Sequence, residues 1–126
     1  MKKEKIQLEY VFQNISVNVL WNHIGTASGL AEWFADQVEV EGRIFHFKWG
    51  DYSQEAEMIQ LRTGSFIRFR WADDVERTYF EFKLMMDELI PQVALIITDF
   101  ALPEDKNDTI MLWNKQIGAL KQRTGM

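Results

Sequence analysis

The chain has 126 residues, 47% apolar and 26% charged, with a formal net charge of −5. This balance suits one folded domain over residues 1–126 and excludes a disordered segment. The basic residues are dispersed, Arg68 and Arg70 forming no more than a small pair, and Cys is absent. Nucleic acid is therefore not an expected partner, and disulfides, thiolate metal sites and a Cys nucleophile are excluded.

The first element is IQLEYVF, where Ile6, Leu8, Tyr10 and Phe12 alternate with mostly polar residues at strand period. Ser16 offers an N-cap hydroxyl to VNVLWNHI, whose Val17, Leu20 and Ile24 share one helical stripe. Gly25 is placed to end that helix in a left-handed conformation. Thr26 or Ser28 then caps a second short helix carrying Leu30, Trp33 and Phe34. Beyond it the period becomes two. VEVE, RIFHFKW, EAEMIQL, FIRFRW, TYFEFKLMM and VALIITDFAL read as strands, separated by Gly42, Gly50-Asp51, Thr63-Gly64-Ser65, Ala72-Asp73-Asp74 and Pro91. Connections this short imply a mainly antiparallel sheet of about seven strands. The last segment, DTIMLWNKQIGALKQR, is helical, with Asp108 as the expected N-cap and Ile110, Trp113, Ile117 and Leu120 on one stripe.

Phe45, Phe47, Trp49, Ile67, Phe69, Trp71, Phe80, Phe82, Leu95 and Ile97 share one sheet face by period alone. Such a face must be covered, and the long helix led by Trp113 is the available cover. The reading is an α+β sandwich, a curved antiparallel sheet wrapped around a C-terminal helix.

The order strand, two short helices, six strands, long helix resembles the helix-grip fold of START-like domains and the major birch pollen allergen. The motifs most resemble the activators of the heat-shock ATPase. Leu20-Trp21, Ile24 and Trp33-Phe34 match their helix pattern; Gly42, Arg43, Ile44, Phe45 and Phe47 match a strand opening; Trp113, Ile117, Leu120 and Lys121 match the closing helix. The resemblance runs from about Lys5 to Arg123. It implies the fold more than the chemistry, because this fold hosts transporters, cyclases, hydrolases and ATPase regulators. The full activators carry a second domain that contacts their partner, for which this chain is too short, so the resemblance does not imply the chaperone role.

In that fold the gap between helix and sheet is often a ligand cavity. The matching residues are Trp33, Phe45, Phe47, Trp49, Phe69, Trp71, Phe82, Leu95, Ile97, Asp99 and Trp113. They either pack together without a void or line a site for a small apolar or amphipathic molecule, with planar and acidic ligands among the options. Asp99 continues the inward period of Leu95 and Ile97, so it is the expected carboxylate at the cavity edge, or else a strand-end acid reaching solvent or pairing with an Arg. Arg68, Arg70, Glu81 and Lys83 alternate on the opposite face as a solvated charge ladder. His46 shares that face and His23 is expected at the helix surface; with no third ligand at suitable spacing, no metal site is expected. Gly118, a mid-helix glycine that in such a fold can make room for a ligand, sits roughly 120° from the stripe centre by helical geometry and is expected on the flank of the last helix. No nucleophile–base set is visible, leaving Asp99 as the sole candidate should the chain be an enzyme. No cofactor is implied. A protein-interaction module or a homodimer is the alternative function. No apolar run reaches the ~20 residues of a membrane helix, and no apolar segment follows the basic start, so a cytoplasmic protein is expected.

Overall fold

The computed structural model describes residues 2–87 and 89–125. The elements in chain order are β1 (Glu4–Gln13), α1 (Val17–Ile24), α2 (Ala27–Trp33), β2 (Gln37–Glu41), β3 (Ile44–Trp49), β4 (Tyr52–Arg62), β5 (Phe66–Trp71), β6 (Phe80–Met86), β7 (Gln92–Ala101) and α3 (Lys106–Arg123). The seven strands form one sheet in the order β1-β7-β6-β5-β4-β3-β2, every pairing antiparallel. The expected α+β helix-grip architecture is therefore present, and α3 lies against the inner face of a curved sheet.

Local chemistry explains the path. Ser16 caps α1 by accepting from the Val19 N–H, and Thr26 caps α2 by accepting from the Gly29 N–H. The β2–β3 and β3–β4 hairpins turn on Gly42 and Gly50, at φ +63° and +57°, where a side chain would be strained. The Gly50 N–H is also held by Asp36 Oδ2 at 2.7 Å. A register shift between Met58 and Gln60 bends β4 against β5, the local distortion that a curved sheet uses.

Several local expectations are corrected. Gly25 ends α1 at φ −108°, outside the left-handed region; the Trp21 indole lies where a Cβ would project, so lack of a side chain, not handedness, is what the position uses. The last helix begins at Lys106, after a single 3₁₀ turn from Pro103 to Asp105, so Asp108 sits in the first helical turn and Asp105 takes the cap position. Asp108 still places negative charge at the positive end of the helix dipole. The charge ladder is not fully solvated. Glu81 is buried at 8% exposure, bound by Arg68 through Nε at 2.8 Å and through its terminal nitrogen at 2.7 Å. The Arg68 guanidinium lies 4.0 Å over the Tyr79 ring, which shields the pair from water. His23 is largely covered rather than at the surface, its Nδ1 2.9 Å from the Val19 carbonyl and its Nε2 3.5 Å from Glu32.

The core fills one end of the sandwich. Phe12 near the end of β1, Leu84 in β6 and Val93 near the start of β7 are buried there with Leu20, Ile24 and Leu30 from α1 and α2. Ile117 and Leu120 of α3 complete the cluster. Phe82, fully buried, meets Trp33, Phe34, Phe69 and Trp113 at ring separations of 5.6, 5.8, 6.4 and 5.7 Å. Aromatic pairs of this kind contribute about 0.5–1.5 kcal/mol each beyond the area they bury.

Candidate functional site

At the opposite end the layers diverge. In an antiparallel meander, the ends of β3, β5 and β7 and the starts of β4 and β6 share one edge. Trp49 and Trp71 are the last residues of β3 and β5, Tyr52 and Phe80 the first of β4 and β6, and Asp99 lies two residues before the end of β7. The N-terminal half of α3 crosses this edge and presents Thr109, Leu112, Trp113 and Gln116. Between them lies a cavity of about 420 Å³, with Phe34 and Gln54 completing the wall. Tyr52 and Leu112, 59% and 58% exposed, form its rim.

The wall is stiffened by hydrogen bonds that also satisfy the buried indoles. Trp49 Nε1 donates to the Phe34 carbonyl at 2.7 Å, and Gln116 Nε2 donates to the same oxygen at 3.2 Å. One carbonyl just past α2 thereby ties β3 and α3 together. Trp113 Nε1 donates to Asp99 Oδ2 at 2.9 Å, and the Phe100 backbone N–H donates to Oδ1 at 2.8 Å. Burial pushes the Asp99 carboxyl above its usual range, against the bonds from Trp113 and Phe100 and the charge of Lys3. The rings stack in a chain: Trp113 on Phe34 at 5.9 Å, and Trp71 on Phe80 at 4.7 Å. The Trp49 and Trp71 rings lie 6.3 Å apart, tilted by 58°.

The sequence-derived site residues thus fall into two groups and one outlier. Trp49, Trp71, Asp99 and Trp113 line the cavity. Phe45, Phe47, Phe69, Phe82, Leu95 and Ile97 are buried in the close-packed core behind it. Trp33, the outlier, is buried in the core, donates its indole N–H to the His23 carbonyl at 2.7 Å and borders an adjoining groove between α2 and α3. Phe34, Tyr52, Gln54, Phe80, Thr109, Leu112 and Gln116 are cavity residues that the sequence pattern does not assign to the site, although it places Phe34 on the second helix and Phe80 on the inner sheet face. Their signal is topological: they follow α2, flank the β3–β4 turn, begin β6, or lie beside Trp113 at i−4, i−1 and i+3. Gly118 is exposed on the flank of α3, and nothing lies where its Cβ would be.

Other surface grooves have a different character. One along β2 and β3 is lined by Gln37, Glu39, Glu41, His46 and Lys48; the one between α2 and α3 adjoins the cavity at Phe34, Trp49, Leu112 and Gln116 and carries Glu32, Asp36, Lys115 and Arg123 on its outer rim. Charged rims of this kind are ordinary solvated surface, whereas ligand cavities are mainly apolar with a few placed polar groups. No group of three His, Cys, Asp or Glu residues suited to a metal ion occurs among the described residues. No described helix is long and apolar enough to cross a membrane.

A curved antiparallel sheet holding a C-terminal helix, hollow at one end, defines a helix-grip domain. The family model for the START-like superfamily domain matches residues 1–126, and the chain belongs to that superfamily. Among solved structures, BfR322 of Bacteroides fragilis is 41% identical, with 98% of this chain and 92% of that one covered and a TM-score of 0.71. The Aha1 dimer of Colwellia psychrerythraea is 15% identical, with 94% and 96% covered and a TM-score of 0.76. DynU16, from the dynemicin biosynthetic locus, is 16% identical, with 96% of this chain but 48% of that chain covered and a TM-score of 0.78. The last two likenesses concern the fold alone. No curated protein matches the chain significantly.

Proposed function

We propose that this START-like domain binds a small apolar or amphipathic molecule in the cavity between α3 and the edge formed by β3, β4, β5 and β6. The observation that carries this reading is a hollow of about 420 Å³ walled by Trp49, Trp71, Phe80 and Trp113. That volume lies within the roughly 300–1,000 Å³ of small-molecule sites. The walls are held open by bonds that leave no buried side-chain nitrogen or oxygen unpartnered among the described residues. A pre-formed hollow lowers the ordering cost of binding. Asp99, Thr109, Gln54 and Gln116 supply the polar groups that would orient a ligand.

Native mass spectrometry and displacement of a neutral solvatochromic dye test the reading. Saturable, stoichiometric dye binding that Trp71→Ala weakens at least about tenfold is expected. Absence of saturable binding by a broad apolar library in the wild-type chain would remove it.

A second reading, a homodimer or protein-interaction module, draws support from the open edge of the sheet. β2 is one of the two terminal strands, and Val40 in it and Ile44 just beyond its turn are 43% and 36% exposed. Glu39 and Glu41 on the same strand oppose edge pairing, which weakens this reading against the first. A single monomeric species across a sedimentation concentration series would exclude the homodimer.

A further inference from the structure

Given that the cavity binds a small molecule, its wall has a charge character that narrows the ligand class. Its lining includes three indoles, Trp49, Trp71 and Trp113, each with one face stacked on a phenyl ring (Phe47, Phe80 and Phe34 respectively), and the Tyr52 phenol at the rim. The charged side chain among its lining residues is Asp99; none of them is Lys, Arg or His. Each Asp99 oxygen accepts one short hydrogen bond, from Trp113 or from the Phe100 backbone, and retains a further acceptor position. Lys115 and Arg123 line the groove against α2, which adjoins the cavity along Phe34, Trp49, Leu112 and Gln116 but places neither cation in the cavity lining. The whole chain carries a net charge of −5, which draws cations and repels anions.

We infer that the ligand is an amphipathic organic cation, a quaternary or protonated amine on an apolar body, held by the Trp49–Trp71–Trp113 rings with Asp99 as counter-charge. Aromatic faces attract a cation through their quadrupole, best with Trp and best when water is excluded. The carboxylate supplies the charge balance that a partly buried ammonium needs. An anionic ligand, one of the classes the sequence leaves open, would meet Asp99 and the negative ring faces with no compensating cation from the lining. The Trp113–Asp99 bond fixes the indole and the carboxylate relative to one another, so ring and counter-charge form one rigid unit.

Three probes of nearly equal shape test the inference: benzyltrimethylammonium, its uncharged carbon isostere neopentylbenzene, and the anion benzylsulfonate. Each is titrated into the whole chain while tryptophan fluorescence and heat are recorded. The ammonium is expected to bind about tenfold tighter than the isostere, and the sulfonate more weakly than either. Asp99→Asn, with its fold checked by circular dichroism, is expected to bring the ammonium down towards the isostere. Trp71→Leu, which keeps apolar bulk and removes a ring face, is expected to reduce the same preference. If the isostere or the sulfonate binds as tightly as the ammonium, the cation assignment fails while the cavity reading stands. If none of the three binds, and the neutral dye does not bind either, both fail.

Discussion

The two ends of the sandwich are made from the same residue types and behave differently. At one end α1, α2 and the C-terminal half of α3 close over Phe12, Phe82, Leu84 and Val93, and the rings bury completely or nearly so. At the other, the strands run out at Trp49, Trp71 and Phe80, and the N-terminal half of α3 spans them without filling the space. The difference lies in what each strand end meets. Helices α1 and α2 leave the sheet at the end of β1, so they cover that side and leave the far edge to α3 and to Phe34 at the end of α2. An inward aromatic is therefore core or cavity wall according to its position along the strand, not according to its type.

The largest effect expected from breaking this comparison is at the filled end. Phe82→Ala should cost about 3–5 kcal/mol in chemical denaturation, because a fully buried ring leaves a cavity that close packing cannot collapse. Trp71→Ala, at the partly exposed edge, should cost distinctly less while weakening ligand binding. Equal costs would erase the distinction between the two ends.

Gly29→Ala tests the close approach of α1 and α2. A Cβ at Gly29 would lie 1.8 Å from the Asn22 carbonyl oxygen and 2.6 Å from the His23 Cα, both backbone atoms that cannot swing away. A loss of about 1–3 kcal/mol is expected, read as a lowered melting temperature. Gly118→Ala is the contrasting case on α3. Nothing lies within 4 Å of the point where its methyl group would project, so the substitution should stabilise the chain by up to about 1 kcal/mol through helix propensity alone.

Asp99 gives a smaller effect with a defined sign. Its carboxyl is raised above the ordinary 3.8 by burial. The folded state then holds the proton more tightly than the unfolded one, so stability is fullest below the unfolded value and falls as pH rises from about 3.8 through the folded value. Asp99→Asn cannot ionise and lacks that loss. The stability of Asp99→Asn relative to wild type should therefore increase as pH rises through this window, in denaturation curves measured at several pH values. A difference independent of pH would mean that burial of the charge is not what sets Asp99 apart.

The architecture is legible because each strand declares its inner face by period two, and the rings at Phe45, Phe47, Phe69 and Phe82 mark which face is covered. The site is legible in part. Trp49, Trp71, Asp99 and Trp113 stand out because inward period and polarity mark them. Separating them from Phe45 or Leu95 requires knowing which strand ends share an edge and where α3 crosses it, and periodicity within one strand carries no such information. Tyr52 and Gln54 escape the sequence pattern for a related reason: β4 begins at Tyr52, earlier than its apolar residues suggest, because pairing with β3 recruits polar residues to the ladder. The burial of Glu81 is hidden for another reason: period two puts Tyr79 and Arg68 on its face but does not show that the guanidinium lies over the phenol ring and closes over the carboxylate.

The five tryptophans report directly on the central claim. Trp21 and Trp33 lie in the filled region, while Trp49, Trp71 and Trp113 wall the cavity. Titration of benzyltrimethylammonium or the neutral dye, followed by the indole N–H resonances in a ¹⁵N-labelled sample, should move the signals of Trp49, Trp71 and Trp113 saturably and leave those of Trp21 and Trp33 nearly fixed. Saturable shifts at Trp21 and Trp33 with the other three unmoved would contradict the account.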